Sequence, residues 1–369
     1  MRATFAKINI DNLYTNYQTL REIVGKAKVI GVVKSNAYGH GLLEVSRYLQ
    51  EFGIDYLAVA FVNEGIELRR AGIEVPILVL VPENDLSIEA SVEYNLDYAV
   101  ENYEVAKKIS DYAKANSKRA RIHFYVDTGM GRDGMPYNNA VEIIKECMKL
   151  PNLEFVGLMS HFASSESDGT YTKHQLDIFK KVISDLKDER IEFELVHIAN
   201  TGAIANFPES IFDGVRPGIA LYGYVRNGNS FDMRFKPVME VHSKVISLRK
   251  VLPGESVGYG RAFIATHTTT IATVPIGYGD GLKRILSDSL FCLIRGRRYK
   301  VIGGICMDEI MVDVGMDGIK LGDEVVLLGQ QENETITGWE LANKSNTIVY
   351  EILTSISNRV PRIYVRNGQ

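Results

Sequence analysis

The chain has 369 residues, 46% of them apolar and 24% charged, and 42 Lys+Arg against 46 Asp+Glu leave a formal net charge of −4. That length suggests roughly two domains, and the composition is that of an ordinary globular protein, which excludes disordered, collagenous and disulfide-scaffold classes. No block of basic residues stands out, which argues against a nucleic-acid binder held by phosphate contacts.

Cys147, Cys292 and Cys306 are widely spaced with no CxxC pair, so neither a structural zinc site nor a disulfide framework is expected. A reducing compartment is the natural reading. The opening MRATFAKINI carries no apolar h-region, so no secretory signal is expected there. The longest apolar stretch, Tyr56 to Val62, is far short of the ~18 residues of a membrane span. The expectation is a cytoplasmic protein with no membrane partner.

In chain order, Asp11 is placed to cap a helix carrying Leu13, Tyr17, Leu20 and Val24 on one face. Strands are predicted at 27–33, 55–60, 76–81, 96–100, 120–126, 155–160, 193–198 and, more weakly, 211–216. Their near-continuous apolar runs suit parallel strands covered on both faces. Helical patterns lie between them, one capped by Asn102 with Val105, Ile109, Tyr112 and Ala113 on a face. Eight such units in roughly 230 residues fit a (β/α)₈ TIM-type barrel better than a doubly wound sheet. After about Phe235 the texture changes. Apolar β segments at 238–248, 268–276, 290–294, 299–305 and 324–328 alternate with Gly-rich turns, and helix patterns return only at 338–343 and 347–354. The expected domains are a barrel over 1–237 and a mainly β domain over 238–369.

A barrel of this class carries its active site at the C-terminal ends of its strands. Lys34 follows the first strand. Asp127 ends the fifth and leads through Gly129-Met-Gly131 to Arg132. Ser160-His161 ends the sixth, and His197 the seventh, followed by Asn200-Thr201-Gly202. Arg216-Pro217-Gly218 ends the eighth. A lone lysine at a strand end is usually a solvated surface group, and a lone histidine is usually a satisfied core residue. Five cationic or titratable side chains converging on one mouth are harder to dismiss. Lys34 also starts at the edge of a buried sheet, where desolvation frees an amine for Schiff-base chemistry.

Three classes compete for that mouth. A metal-dependent hydrolase wants closely spaced ligands, and the seven histidines contain no HxH and no HExxH, so no metal site is expected. A dinucleotide enzyme is suggested by Gly129-Met-Gly131-Arg-Asp-Gly134, which spells GxGxxG, but in the fifth unit rather than the first. A pyridoxal 5'-phosphate (PLP) enzyme needs a Schiff-base lysine, amides and hydroxyls for a phosphate and a group at the pyridine nitrogen. Lys34, Thr201 with Gly202, Gly218 and Arg216 supply that set.

The segments VVKSNAYGHG (32–41), DTGMGR (127–132), SHFASSE (160–166), HIANTGA (197–203) and VRPGIALYG (215–223), then VGYGR (257–261), PIGYGDG (275–281), ICMDEIMVDV (305–314) and VYEILTSISNRVPR (349–362), resemble the alanine racemase family in order along the whole chain. The resemblance implies a PLP-binding barrel followed by a β domain, and a homodimer in which each active site is completed by the partner's β domain. It implies interconversion of L- and D-alanine by two bases, supplying D-alanine for peptidoglycan; the alternative is a racemase for serine or lysine on the same fold. Lys34 would carry PLP and act as base on one face, and the partner subunit's Tyr259 would act on the other. Tyr38, Asn200, Thr201, Gly218, Ile219 and Tyr350 would lie around the cofactor. Arg216 would meet the pyridine nitrogen with His197 behind it. Arg132 and the partner subunit's Met307 would meet the substrate carboxylate, His161 would point toward Tyr259, and Tyr278 would sit near the entrance.

Four positions depart from the family pattern. Thr201 stands where Ser is usual, Gly279 where Ala is frequent, and Asp133 where an apolar residue is usual. Tyr125 stands where many members carry a carbamylated Lys that braces the active-site Arg. A neutral phenol cannot supply that charge. Arg132 would then need another anchor, either a bound anion or a carboxylate from elsewhere in the pocket; the alternative is that Tyr125 simply packs in the barrel and the cofactor alone holds Arg132.

Overall fold

A computed structural model describes residues 2–225 and 234–366. By internal contacts the chain divides into two compact units. One comprises Tyr14–Ala37 and Leu42–Lys236; the other gathers Met1–Leu13, Tyr38–Gly41 and Pro237–Gln369.

The first unit is a closed parallel barrel. Its strands are Lys28–Val32, Tyr56–Val59, Ile77–Val79, Asp97–Val100, Ala120–Asp127, Leu153–Met159, Leu195–Asn200 and Gly214–Arg216. Each pairs in parallel with its neighbours, and the last closes onto the first through Gly214 opposite Lys28. All eight predicted segments are strands. Every residue of Tyr56–Val59, Ile77–Val79 and Asp97–Val100 is buried, as strands covered on both faces require. The intervening helices bury one stripe each. Tyr103–Ala115 buries Ala106, Ile109, Ser110 and Ala113 and is capped as expected by Asn102, whose Oδ1 accepts the Val105 N–H at 2.9 Å.

The β-rich unit is built on a ten-stranded sheet in the order Ser247–Val251, Thr269–Val274, Ile310–Gly315, Arg297–Ile302, Phe291–Ile294, Glu324–Gln331, Met239–Lys244, Phe5–Asn9 and Arg362–Val365, with Glu334–Ile336 paired to Glu324–Gln331, and it also carries a small two-stranded sheet of Ser256–Val257 and Phe263–Ile264. Three expectations need correction. The segment 238–248 is not one strand; it breaks at Val245 and Ile246 into two. The first residues do not belong to the barrel. Phe5–Asn9 alternates half-buried and buried side chains and pairs antiparallel with Met239–Lys244 and parallel with Arg362–Val365. The first helix, Ile10–Val24, is capped not by Asp11 but by Asn9, whose Oδ1 accepts the Asn12 N–H at 2.9 Å. The predicted apolar face of that helix is correct, with Leu13, Tyr17, Leu20 and Val24 all buried. Among the described residues no helix is long and apolar enough to cross a membrane.

Inside the barrel, strands approach too closely for a side chain at Gly157. A Cβ there would stand 2.4 Å from His123 Nδ1 and 2.7 Å from the Leu195 carbonyl oxygen. Gly157→Ala is expected to lower stability by about 1–3 kcal/mol through overpacking, read as a lower denaturation midpoint. An unchanged midpoint would show that the strands can separate to admit a methyl group.

Candidate active site

The C-terminal ends of the strands bring the predicted barrel residues together. Arg216 is the last residue of its strand and only 3% exposed. Its guanidinium donates to His197 Nδ1 at 2.5 Å, to the carbonyls of His197 at 3.1 Å and Ile198 at 3.2 Å, to the Ser160 carbonyl, and to His161 Nδ1 at 3.2 Å. Both terminal nitrogens are engaged, while Nε makes no hydrogen bond among the described residues. Burial pulls the Arg216 pKa down to about 10, partly offset by Tyr125, so the group stays charged at neutral pH. His161 lies within that positive field. Burial first, then Arg216, Arg132 and Lys34, push its pKa down to about 3, leaving a neutral imidazole. His197 is fully buried and held well below its ordinary value by burial and by Arg216.

Lys34 lies two residues past the end of the first barrel strand, Lys28–Val32. Burial lowers its pKa, Arg132 lowers it further, and Glu64 and Asp133 oppose the shift. The backbone then does something its sequence does not announce. Ser35, Asn36, Ala37 and Tyr38 all take left-handed conformations, with φ between 51° and 58°, which non-glycine residues avoid by about 1–2 kcal/mol each. Specific bonds hold the turn: the Ser35 N–H donates to Glu64 Oε1 at 2.7 Å, and Asn36 Oδ1 accepts the Leu42 N–H at 2.8 Å.

Arg132 has the anchor its sequence context left open. Its Nε donates to the Asp133 carboxylate at 2.9 Å, and the buried Tyr125 phenol interacts with the same guanidinium. The unexplained residue Asp133 thus provides the negative charge that a phenol at position 125 cannot. The GxGxxG stretch is not a phosphate cradle. Asp127 Oδ1 accepts the N–H groups of Gly129 at 2.9 Å, Met130 at 2.8 Å and Gly131 at 3.2 Å, so those amides are already taken.

At the seventh and eighth strand ends, Asn200 caps the short helix Thr201–Asn206. The Thr201 hydroxyl accepts the N–H of Gly218 at 3.2 Å and of Ala220 at 3.4 Å, and Ile219 is buried beside them. In the β-rich unit the Tyr38 ring stands 5.8 Å from that of Tyr350, and burial raises the pKa of the Tyr38 phenol. Tyr278 and Met307 are partly exposed and joined through backbone: the Tyr278 N–H donates to the Cys306 carbonyl and the Gly279 N–H to the Met307 carbonyl, both at 2.9 Å. A Cβ at Gly279 would lie 2.3 Å from an Arg359 terminal nitrogen, the mobile end of a long side chain, and 3.0 Å from the Met307 carbonyl oxygen, so nothing in the structure requires glycine there. Tyr259 sits in the turn Tyr259–Arg261 and is 80% exposed.

Comparison with known proteins decides the family. Residues 8–226 match the model "Alanine racemase, N-terminal domain" and residues 238–364 match "Alanine racemase, C-terminal domain". The chain belongs to the alanine racemase family. An alanine racemase of Clostridium novyi is 41% identical, covering 100% of this chain and 97% of the relative. The solved alanine racemase of Clostridium difficile 630 superposes with a TM-score of 0.95 at 38% identity, covering 100% of this chain and 97% of that one. A histidine racemase of Leuconostoc mesenteroides superposes at 0.90 with 26% identity, covering 99% and 98%.

Two groups in this racemase-family barrel escaped the sequence reading. One is Glu64, which fixes the turn after Lys34. The other is a set of polar residues behind Arg216, the buried His123, Asp97 and Tyr56 with the half-buried Arg121. The alternation of Arg121, His123 and Tyr125 within an apolar strand was the available signal, because residues two apart share one face.

The charge pattern sets an outcome for Lys34. In cofactor-free protein, the pH midpoint for reductive methylation of Lys34, followed by peptide mapping, is expected below that of surface lysines. Arg132→Met removes a neighbouring cation that lowers the Lys34 pKa, so it should move that midpoint upward. A midpoint unchanged by Arg132→Met would show that the guanidinium does not act on this amine.

Proposed function

We propose that this chain is an alanine racemase, interconverting L- and D-alanine with pyridoxal phosphate by two bases: Lys34 and the partner subunit's Tyr259. The carrying observation is the donor set at one barrel mouth, where a desolvated amine at Lys34 accompanies the buried Arg216 cation. Those residues fit the cofactor. Lys34 would hold its aldehyde carbon. Arg216 Nε is a donor left over for the pyridine nitrogen, with His197 fixing the opposite edge of the guanidinium. Asn200, Thr201, Gly218 and Ile219 from the barrel, with Tyr38 and Tyr350, would surround the phosphate.

Bound there, pyridoxal phosphate supplies an electron sink that makes the α-proton of an amino acid removable. Racemisation needs that proton taken from one face and a proton returned on the other, so two bases are the minimum. Lys34, lowered by burial and by Arg132, suits proton transfer on one face. Tyr259 is mostly exposed in the single chain, which supports a role completed only when a second subunit covers it. Arg132 would hold the substrate carboxylate with the partner subunit's Met307 close by, neutral His161 would accept a hydrogen bond near Tyr259, and Tyr278 would border the entrance. Because Arg216 does not release its protons readily, it would leave the pyridine nitrogen of a bound cofactor unprotonated and so discourage side reactions such as transamination. The reading includes a homodimer, a cytoplasmic setting and D-alanine supplied for peptidoglycan.

The solved histidine racemase of similar fold is the reason to test substrate identity directly. PLP-loaded protein offered single L-amino acids should form D-alanine from L-alanine faster than D-serine, D-lysine or D-histidine from their enantiomers. Borohydride should fix the cofactor to Lys34 in the peptide map. A faster reaction with another amino acid, or a label on another lysine, would overturn the assignment.

Mixing inactive Lys34→Ala and Tyr259→Phe proteins should restore activity, since a mixed dimer contains one site free of both lesions. No recovery despite proven subunit exchange would mean that both residues act within one chain.

A further inference from the structure

The interior of a (β/α)₈ barrel is normally filled with layers of apolar side chains. Here a polar column runs through it. Arg216 ends its strand at the C-terminal mouth and contacts His197 Nδ1 at 2.5 Å. His197 Nε2 lies 3.1 Å from His123 Nδ1, and His123 Nε2 lies 3.3 Å from Asp97 Oδ2. Asp97 is the first residue of its strand, at the opposite end of the barrel. There it accepts Arg121 Nε at 2.9 Å and the Tyr56 hydroxyl at 3.0 Å, while Arg121 also donates to Tyr56 and Glu154. His123 and His197 are fully buried and Asp97 nearly so.

The direction of this column follows from hydrogen-bonding capacity alone. A guanidinium only donates, so His197 Nδ1 must accept and the ring proton must sit on Nε2. That N–H points at His123 Nδ1, which must therefore accept. His123 then carries its own proton on Nε2, aimed at the Asp97 carboxylate, which only accepts when ionised. Each tautomer is dictated by the groups at the two ends, one a pure donor and the other a pure acceptor. Hydrogen bonds aligned in one direction in a low-dielectric interior strengthen one another. Gly157 leaves the room this needs, since a Cβ there would strike His123 Nδ1.

We propose that Asp97 and His123 are positioning residues for Arg216: they lock His197 as a hydrogen-bond acceptor toward the guanidinium and so fix its orientation from the far end of the barrel. The role in catalysis rests on the reading of Arg216 as the partner of the pyridine nitrogen, but the tautomers themselves do not. Among the described residues no carboxylate touches Arg216 directly. An aspartate in contact would compete with a ligand for the guanidinium donors. Two imidazoles transmit its polarising effect while keeping the charge itself at a distance. Burial alone would raise the Asp97 pKa, but His123 and then Arg121 more than offset that and leave it below the usual carboxylate range, while the Tyr56 hydroxyl also donates to the carboxylate.

The test uses the full-length protein labelled with ¹⁵N-histidine, with and without pyridoxal phosphate. The ring signals are assigned by their loss in His123→Gln and His197→Gln. Both rings are expected neutral, protonated at Nε2 and bare at Nδ1. A proton on Nδ1 of either ring, or on both nitrogens, overturns the proposal without any functional variant. Asp97→Asn puts a group that can donate as well as accept at the end of the column. It releases the far end of the column, so it should give mixed tautomers at His123, a loosened His197–Arg216 bond and a kcat for alanine lower by about 10–100-fold, as for lost orienting partners elsewhere. KM should stay within about 2-fold, because ground-state binding is untouched. Arg121→Gln removes the ion pair but leaves the carboxylate, so the tautomers should persist. It decides the matter if Asp97→Asn does not fold. Identical tautomer loss in Arg121→Gln, or wild-type tautomers and kcat in Asp97→Asn, would reduce the column to a structural feature. Failure to bind PLP or to racemise alanine would instead fail the functional reading and leave the tautomer result standing.

Discussion

The barrel is organised around a buried cation that, among the described residues, no carboxylate touches. Arg216 is 3% exposed, and removing a guanidinium from water costs several kcal/mol unless its donors are met. The barrel meets them with neutral oxygens and nitrogens: three carbonyls at neighbouring strand ends and two imidazole nitrogens. Much else follows. His161 and His197 must stay neutral, because a second positive charge in that enclosure is expensive, and both are held far below their ordinary pKa values. Lys34 and Arg132 extend the positive field at the mouth. The field lowers the lysine and suits an anionic ligand, as the phosphate and carboxylates of the proposed reaction would be.

The placement of Lys34 carries a second constraint. Four consecutive left-handed residues follow it, and only asparagine among them is at ease there. Such strain persists where surrounding contacts over-determine it, and it gathers at functional sites. Glu64 supplies part of that restraint, since its carboxylate accepts the N–H of Ser35 through Oε1 and of Ala60 through Oε2. One side chain thereby ties the exits of the first and second strands together.

The barrel was legible because burial on both faces writes itself as apolar runs, and each predicted strand segment overlaps a real one. The Asn102 cap was legible for the same local reason. The failures are non-local. Phe5–Asn9 alternates as an ordinary half-buried strand, but only its pairing with Met239–Lys244 and Arg362–Val365 assigns it to the β-rich unit, and nothing in nearby sequence encodes partners more than two hundred residues away. The break at Val245 and Ile246 is invisible to apolarity, since both residues extend the run. Among site residues, those at strand ends were found by position. Asp97 and Glu64 were missed because each acts on a functional residue distant in sequence. The left-handed turn was missed because Ser, Ala and Tyr carry no propensity for it.

Asp133 shows how a departure from a family pattern can be read physically. Taken alone it is an acidic residue in an apolar position, beside a tyrosine that cannot carry a carbamate. In the structure the two oddities account for one another. The Asp133 carboxylate is four-fifths buried and takes the Nε side of Arg132, whose side chain is 54% exposed. Tyr125 presses on the same group from the barrel interior. A guanidinium offers more than one edge to planar acceptors, so an aspartate held at Nε leaves donors on the terminal nitrogens. An anchor that engages one edge and spares another orients the cation without silencing it, which is what a residue proposed to receive a substrate carboxylate requires.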